Sequence, residues 1–445
     1  MNKYIYMPIE SKTRELDAKI FLALEAARRG YISIIGTKDL NVYLKYIPLP
    51  KGIFLYKDSI NIMEKPFKAI QKKGHKVVVH DEEGFVQFSW KDYLDSRIKF
   101  KTLKYVDVFL CWGKGQYAAI KSVSVDINPK LSLAVTGHPR IDLLRQPVCN
   151  YNNFETNTEK IILINMKFAP VNYGNPDISY IDKQLQDKPS MSDTEKEKLM
   201  ELVAYKRKLL EYYNKLIKKI ILKFPNNDVV IRPHPIENVN YWKSMYGSYS
   251  NVLISNEHSV GYWIHKAGVI VHTGCTTAIE GFLLDVPSIA YHPFSDEKFE
   301  IKLPDSVSVR VSSEKDCLDK IELMLSNEFN NDSYKQKRTG MLSKAISNLH
   351  GDFSVKLIIN SIDKFNLPKN GFFSNLIIKS SFEFAGILFK LKKRYSKQIT
   401  ARVVDNSISL FYVKNVVDRF KYSTNDSEEY CIKKISNNII SISKK

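Results

Sequence analysis

The sequence predicts an α/β protein with two doubly wound, Rossmann-like domains that face a cleft, plus a basic C-terminal extension. Apolar runs of strand length alternate with helical patterns along most of the 445 residues, which is too long a chain for one ordinary core. The alternation is interrupted once, by a polar, turn-rich stretch at 150–160, and then restarts. It ends after Pro368, and residues 369–445 contain 15 Lys and Arg against 6 Asp and Glu.

The first domain, residues 1–149, begins with a β-α-β pattern. An apolar strand at 3–9 precedes apolar positions at helical spacing in 14–31, and a second strand follows at 32–37. Further strands are predicted at 52–56, 76–81, 106–113 and 131–137. This order predicts a parallel sheet covered by helices on both faces.

The second domain, residues 150–368, repeats this organisation around a long helical stretch at 195–224. Its strands are predicted at 161–166, 228–235, 251–255, 267–274 and 287–293. Ligands of such folds bind outside the carboxyl ends of the strands, so we expect the site in the cleft between the two sheets.

The extension, residues 369–445, contains a basic, amphipathic stretch at 372–397, and the remainder is expected to be polar and weakly ordered. One interpretation is a C-terminal helix that packs on the body with its charges in water. The other is contact with an anionic membrane surface.

Composition excludes several classes of protein. A hydrophobic content of 44% is typical of a folded chain, and five scattered cysteines without a C-x-x-C pair indicate neither disulfides nor zinc. The N-terminus lacks a signal-peptide pattern and no stretch is long and apolar enough to span a membrane, so we expect a cytoplasmic protein, peripheral at the inner membrane if the extension binds lipid. The net charge of +19 favours an acidic partner, but no nucleic-acid-binding motif is present.

The stretch VVIRPHPIE, residues 229–237, runs an apolar strand directly into Arg232 and His234, with a proline after each. Proline ends the ladder and restricts its neighbours, so both side chains are held in set directions at the edge of the sheet. A guanidinium there suits a phosphate, and a histidine suits a phosphate oxygen or a leaving group. The alternative is a turn in which the histidine caps nearby carbonyls.

A second strand end lies in residues 267–293, where Thr273 and Gly274 precede a predicted helix. Gly274 allows close approach of the backbone, and Thr276 and Thr277 are good cap residues at a helix start that attracts anions. Glu280 is placed to accept hydrogen bonds from ribose, or is an acidic residue favoured near a helix start.

The first domain contributes three consecutive carboxylates, Asp81, Glu82 and Glu83, after the strand at 76–81. Crowded carboxylates predict at least one raised pKa unless a cation lies nearby, and such a group can act as a general acid or base. The alternative is a solvated turn.

Further candidates line the predicted cleft. Glu10 and Arg14 follow the first strand, where they face the cleft or belong to a solvated first helical turn. His138 and Arg140 contact ligand or hold the hinge, and the structural role is favoured. No P-loop, dinucleotide fingerprint, nucleophile elbow or D-x-D pair is present, so we expect phosphate charge to be neutralised by side chains and helix dipoles, with no metal ligands.

Several stretches occur in the order seen in bacterial surface carbohydrate biosynthesis proteins, namely PIESKTRELDAKIFLALEAARRG, HDEEG, VTGHPRIDLL, RPHPIEN and HTGCTTAIEGFLLDVPSIAYHP. Roughly residues 3–365 therefore resemble that family. The family is similar to GT-B glycosyltransferases, with His-Pro and Ser/Thr elements like those of capsule Kdo, sialic acid and CDP-glycerol transferases. A serine pair of the Kdo and sialic acid enzymes is Thr276-Thr277 here, and the chain beyond Asn370 has no counterpart.

The resemblance implies a GT-B-like fold and assigns roles to particular residues. Arg232, His234, Thr276 and Thr277 would hold the phosphate of a nucleotide, and Glu280 its ribose.

We therefore predict a metal-independent glycosyltransferase that moves Kdo or a related acidic sugar from a CMP-activated donor onto a capsule, O-antigen or lipopolysaccharide acceptor. The nucleotide sugar is a substrate, no cofactor is expected, and the acceptor is a glycan or lipid-linked glycan. One of the three carboxylates would act as base or nucleophile, in a retaining or an inverting reaction. The alternatives are a sugar-nucleotide epimerase, which needs no acceptor, and a non-catalytic scaffold of capsule or O-antigen assembly.

Overall fold

The structure is a computed structural model that describes residues 3–37, 40, 49–84, 89–151, 160–258, 260–326, 328–365 and 407–445. The predicted amphipathic stretch at 372–397 and most of the predicted linker lie outside the described residues. The chain divides into two compact units. The first unit is Met1–Tyr151 with Ser343–Lys445, and the second unit is Asn152–Leu342.

Eleven described strands coincide with the predicted apolar runs, and three were not predicted, one at Val309–Val311 and two near the C-terminus. The strands are β1 (Lys3–Ile9), β2 (Tyr31–Thr37), β3 (Ile53–Tyr56), β4 (Lys76–His80), β5 (Val108–Cys111), β6 (Ser132–Val135), β7 (Ile161–Asn165), β8 (Val229–Arg232), β9 (Val252–Ile254), β10 (Ala267–His272), β11 (Ser288–Tyr291), β12 (Val309–Val311), β13 (Tyr430–Ser436) and β14 (Ile439–Lys444).

Helices connect most of the parallel strands. They are α1 (Lys12–Arg28), α2 (Glu64–Lys72), α3 (Trp90–Arg97), α4 (Phe100–Leu103), α5 (Lys114–Ile127), α6 (Pro139–Asp142), α7 (Tyr180–Asp187), α8 (Asp193–Lys223), α9 (Val239–Tyr246), α10 (Val260–Lys266), α11 (Thr277–Leu283), α12 (Lys302–Ser306), α13 (Glu314–Leu325), α14 (Asn331–Ala345), α15 (Ser354–Ile362) and α16 (Leu410–Ser423). Among the described helices none is long and apolar enough to cross a membrane.

The first unit contains a sheet with the order β13-β14-β2-β1-β3-β4-β5-β6. The strands from β2 to β6 pair in parallel. β2 lies on one side of β1 and β3 to β6 lie on the other, so the strand order reverses between β1 and β3. The second unit contains a parallel sheet with the order β12-β11-β10-β7-β8-β9, which reverses between β7 and β10. The predicted α/β class with parallel sheets is confirmed.

The strands of the second sheet are nearly continuous apolar runs because helices cover both faces. β7 and β10 are buried along their whole length. α8 begins at a capping box in which Ser192 and Glu195 exchange hydrogen bonds, and it buries Leu209, Tyr213 and Leu216 at helical spacing.

Residues 407–445 fold onto the first unit, which corrects the expectation of a weakly ordered remainder. β14 pairs antiparallel with β2, and β13 pairs antiparallel with β14, so the hairpin extends the sheet. α16 buries Val413, Val417 and Phe420, and the Phe420 ring lies 5.0 Å from the ring of Phe21 in α1. The short β14 run finds its partner about 400 residues earlier, which local patterning does not reveal.

The boundary predicted at 368 also differs from the structure, because residues from Ser343 onward belong to the first unit. The carboxylate of Asp142 accepts hydrogen bonds from Val355 N and Ser354 Oγ, each at 3.0 Å, at the start of α15. Ile358 and Ile362 of α15 are buried in the same core as α1. These contacts join the segment to the first unit although it follows the second in sequence.

Candidate functional site

The carboxyl ends of three neighbouring strands in the second sheet carry polar side chains. Asn165 ends β7, Arg232 ends β8, and the two are register partners. His272 ends β10, on the other side of β7. Open α/β sheets bind ligands outside the carboxyl ends of strands where the chain order reverses. The reversal between β7 and β10 therefore places these ends where this class of fold binds its ligands.

Three cationic side chains lie at this edge, and we call Lys167, Lys206 and Arg232 the cationic cluster. Lys167 follows β7, and its Nζ donates to the carbonyl of Gly274 at 3.2 Å. Lys206 projects from α8 and is 7% exposed. All three lie within electrostatic range of Cys275. Within the described residues, no carboxylate forms an ion pair with any of them.

Burial makes the positive charges of the cationic cluster costly. It lowers the pKa of Lys167 and of Arg232. Burial, together with the neighbouring Lys167 ammonium, lowers the pKa of Lys206 to about 7. Cations removed from water without a carboxylate partner destabilise a fold. An anionic ligand would supply the missing negative charge.

Several buried polar atoms beside the cluster make no hydrogen bond. They are Arg232 Nε, both amide atoms of Asn165, and Thr273 Oγ1. A buried polar group left unsatisfied costs about 1–3 kcal/mol, so native folds rarely group several together. A guanidinium, an amide and a hydroxyl can all donate to phosphate oxygens. These atoms match the requirements of a phosphorylated ligand.

Glu237 is the carboxylate that interacts with Lys206. Its oxygens accept from Phe168 N at 2.7 Å and from Trp242 Nε1 at 3.0 Å. Burial raises the pKa of Glu237 to about 7 despite these hydrogen bonds. The pKa values of Glu237 and Lys206 both lie near neutral pH, so Lys167 and Arg232 supply the remaining positive charge of the cluster.

His272 organises the loop that follows β10. Its Nδ1 accepts from Gly274 N at 3.0 Å and from Cys275 N at 3.3 Å, so the proton lies on Nε2, which contacts Ser308 Oγ at 2.8 Å. Burial lowers the pKa of His272 to about 4, so the ring is neutral. Gly274 has φ of +69°, a conformation that favours glycine. His272 is a positioning residue that the sequence analysis did not single out.

The predicted threonine caps do not form. α11 begins at Thr277, and Thr276 has helical dihedral angles and no side-chain cap hydrogen bond. Thr277 is buried, with Oγ1 3.2 Å from Cys275 Sγ. The imidazole of His272 accepts from the backbone of this turn instead.

The other predicted nucleotide-binding residues also belong to the second unit, and they differ in how far their side chains are exposed to solvent. His234 is exposed, and its Nδ1 accepts from Ile236 N at 3.4 Å. Glu280, in the first turn of α11, is within electrostatic range of Arg232. Thr273 and Gly274 are buried beside the cationic cluster. The roles of these residues in binding remain predictions.

The three predicted carboxylates of the first unit are each paired with a cation. Asp81 lies 2.6 Å from Arg97, and Glu82 lies 2.6 Å from Lys19. Glu83 lies 2.9 Å from Arg97 and 3.2 Å from Lys57. The condition that the sequence analysis attached to a raised pKa, the absence of nearby cations, is therefore not met.

Ion pairing lowers the pKa of two of these carboxylates. Burial opposes ionisation of Glu82, but Lys19 outweighs it and holds the pKa of Glu82 below its usual range. Burial is likewise outweighed at Glu83, whose pKa is lowered by Lys57, Arg97 and Arg14. Both groups are ionised at neutral pH, which suits a base or nucleophile and not a general acid. Glu83 is the most exposed of the three, at 36% of its side chain.

The remaining candidates of the first unit belong to the same charged region. Glu10 forms an ion pair with Lys57, and Arg14 lies 3.8 Å from Glu83. Arg140 acts electrostatically on Glu82. The sequence analysis did not single out Lys57, which follows β3 at the reversal of chain order.

His138 has a structural position. Its Nδ1 accepts from Arg140 N at 3.1 Å and caps α6, and its ring lies 4.7 Å from that of His80. Burial, followed by the influence of His80, lowers the pKa of His138 well below its usual value. A neutral, buried cap fits the structural role that the sequence analysis favoured.

Comparison with solved structures shows a GT-B-like fold with two Rossmann-like units. A protein from Listeria monocytogenes, provisionally named a UDP-N-acetylglucosamine 2-epimerase, superposes with a TM-score of 0.51 at 11% identity and covers 82% of this chain and 96% of that chain. S. aureus MnaA with UDP gives 0.48 at 13% identity, covering 81% and 96%. The wall teichoic acid polymerase TagF gives 0.45 at 9% identity, covering 86% and 90%. No protein-family model and no curated protein matches the chain.

The sequence analysis missed Asn165, Lys167 and Lys206. A signal was available for the first two, because Asn165 ends and Lys167 follows the first strand of the second domain, which lies at the centre of a doubly wound sheet. Lys206 had no such signal. It is one of many lysines in α8, and only the packing of that helix buries it beside Lys167.

Proposed function

We propose that the protein is an enzyme that acts on a nucleotide-linked sugar, and that it is a glycosyltransferase of surface-polysaccharide assembly. The observation that carries the proposal is the cationic cluster. Three cations without carboxylate ion pairs, of which Lys206 is buried and Lys167 and Arg232 are half-buried, lie at the reversal point of a Rossmann-like sheet, next to unsatisfied donors of Asn165 and Thr273. This is the charge and hydrogen-bonding environment that a nucleotide phosphate requires.

The same arrangement supports a role in the reaction. Bond cleavage at an activated sugar leaves negative charge on the departing phosphate, and preorganised donors stabilise that charge. Arg232 offers a planar fork to phosphate oxygens, whereas Lys167 and Lys206 act as compact charges. His234 would donate to the leaving phosphate, and Glu280 would bind the ribose, as the family resemblance implies.

The donor would be a CMP-linked acidic sugar such as CMP-Kdo. Such a donor carries one phosphodiester charge and one carboxylate charge, and the excess positive charge of the cluster suits both groups. Thr273 Oγ1 offers a further hydrogen bond to either anion.

In the first unit, Glu83 is the best placed of the three carboxylates to act as base or nucleophile. It is ionised and partly exposed, whereas Asp81 and Glu82 are almost fully buried in ion pairs. Arg97 and Lys57 would hold Glu83 in position.

A groove on the first unit fits an acceptor glycan. Its volume is about 950 Å³, and its lining includes Trp90 and Phe100 together with Lys91, Lys99 and Lys101. Trp90 is 37% exposed and Phe100 is 60% exposed. Exposed aromatic faces pack against the apolar faces of sugar rings, and the charged groups of the lining, which also include Glu64 and Asp95, can hydrogen-bond sugar hydroxyls.

The epimerase alternative is favoured by one observation, the fold likeness to the Listeria protein that carries that name. An epimerase would use the same phosphate site and would release product without any acceptor. A transferase needs both donor and acceptor. Product formation with and without added acceptor therefore discriminates between the two enzymes.

Titration calorimetry with CMP, CDP and UDP, followed by their sugar derivatives, tests the proposal on the full-length chain. We expect nucleotide to bind the wild type, with the lowest dissociation constants for the cytidine nucleotides. Arg232→Gln should bind the same nucleotides more weakly. The matched control is Arg207→Gln, which removes an exposed arginine from α8. Absence of binding by every nucleotide, or equal loss in both variants, would overturn the proposal.

A further inference from the structure

A second group of chemically reactive side chains lies in the second unit, in the segment that follows β11. His292 comes directly after the strand, Glu300 precedes α12, and Asp305 lies within α12. One potential ligand atom from each lies within 4.8 Å of the others. His292 is 4% exposed, Glu300 6%, and the Asp305 side chain 9%.

The contact between His292 and Asp305 is close but is not a hydrogen bond. Nε2 of His292 lies 2.9 Å from Oδ2 of Asp305. Nevertheless, neither ring nitrogen and neither carboxylate oxygen makes a hydrogen bond of acceptable geometry. With bonds of about 2.1 Å, two ligand atoms on one cation lie roughly 3.0 Å apart in octahedral geometry and roughly 3.4 Å apart in the tetrahedral geometry of zinc, so a small adjustment is needed for the latter. The two atoms therefore have the separation of neighbouring metal ligands.

Glu300 supplies a carboxylate that is already held in place. It accepts from both terminal nitrogens of Arg310, at 2.8 and 2.9 Å, and from Ser295 Oγ and Asp296 N. Arg310 also lies 3.7 Å from Asp305. One guanidinium thus faces two carboxylates, which leaves one negative charge for a second cation.

We propose that His292, Glu300 and Asp305 form a binding site for a divalent transition-metal cation, Zn²⁺ or Mn²⁺. An imidazole nitrogen combined with carboxylate oxygens suits these ions better than Mg²⁺ or Ca²⁺, which prefer oxygen ligands alone. The sequence analysis expected no metal ligands because no D-x-D or C-x-x-C pair is present, and it did not consider these three residues, which are 8 and 5 positions apart without a recognised metal-binding spacing.

The ion would stabilise the folded segment between β11 and α12, and it would not bind the phosphate of the nucleotide. It would join the end of β11 to α12, and Ile301 between the ligands packs against the loop after β10. A Cβ placed on Gly274 would lie 3.3 Å from Ile301 Cβ. The site thus goes beyond the proposed function, because it stabilises the wall of the cationic cluster through a separate cation.

The test uses the full-length chain after treatment with a chelator and removal of the chelator. Titration calorimetry with Zn²⁺ and Mn²⁺, and visible absorption with Co²⁺, should show one ion per chain. His292→Gln and Asp305→Asn should weaken binding at least tenfold, within the range of about 10- to 100-fold seen when a metal site loses a supporting group. His265→Gln, which removes an exposed histidine from α10, should bind as wild type does.

Circular dichroism of each variant identifies any that fails to fold, and the wild-type stoichiometry tests the proposal without a variant. The proposal would be overturned if the wild type showed no saturable metal binding. It would also be overturned if His292→Gln and Asp305→Asn both bound metal as tightly as the wild type. Nucleotide binding is measured separately with Arg232→Gln, so a failure of the proposed function and a failure of this inference give different results.

Discussion

Lys167 Nζ donates a hydrogen bond to the carbonyl of Gly274 at 3.2 Å. The contact joins the residues that follow β7 and β10, the two strands on either side of the reversal in the second sheet. It brings a half-buried ammonium to the loop that His272 organises, where Arg232 and Lys206 add further positive charge. The predictions below test what this concentration of charge does.

Replacing Arg232 with glutamine should weaken nucleotide binding by about 10- to 150-fold, the equivalent of one charge-assisted hydrogen bond worth about 1.5–3 kcal/mol. Calorimetric dissociation constants measure the effect. Arg207→Gln changes the net charge equally but at an exposed position, and it should bind nucleotide as the wild type does. A similar loss in both variants would indicate a general charge effect and not a contact.

Replacing Lys206 with methionine should change stability and binding in opposite directions. The variant removes a buried charge that has no carboxylate ion pair, so the free protein should gain about 1–4 kcal/mol. It should also bind nucleotide more weakly. Denaturant unfolding and calorimetry measure the two effects. A variant that loses both stability and affinity would show that Lys206 is a structural residue.

The lowered pKa of Lys206 also predicts a pH dependence. The folded protein loses this proton near pH 7, whereas the unfolded chain keeps it to about 10.5, so the stability of the free protein should rise with pH between these values. Nucleotide affinity should fall over the lower part of the same range, because the ammonium that binds phosphate is lost. Lys206→Met should reduce both slopes. Equal slopes in the variant and the wild type would assign the pH dependence to another group.

Replacing His234 with alanine should reduce turnover by roughly two orders of magnitude, the scale of losing one preorganised donor to the leaving group. The fold should be unchanged because His234 is exposed. The measurement is product formation by purified enzyme at saturating donor. Near-normal turnover would remove His234 from the reaction.

Replacing Phe420 with alanine should destabilise the first unit by about 3–5 kcal/mol, because its buried ring packs on Phe21. Phe411→Ala, in the same helix but 75% exposed, is the matched control and should have little effect. Thermal and denaturant unfolding measure both variants. A small effect at Phe420 would mean that the first unit folds without the C-terminal segment.

Part of the candidate site could be predicted from the sequence because it depends on strand ends. A buried strand that stops at a proline identifies Arg232. The turn at the end of the apolar run that begins at 267 identifies Thr273 and Gly274. Pattern could not predict that His272 accepts from the backbone of that turn in place of the threonine caps, because the hydrogen bonds depend on its rotamer and on Ser308.

The sequence by itself determined the alternation of strands and helices, because apolar periodicity is a local property of the chain. Tertiary structure alone decided which distant groups meet. It paired Glu82 with Lys19, buried Lys206 beside Lys167, and placed β14 against β2. Each of these contacts joins elements far apart in the chain, and the burial and charge that set their energies exist only once the elements have packed together.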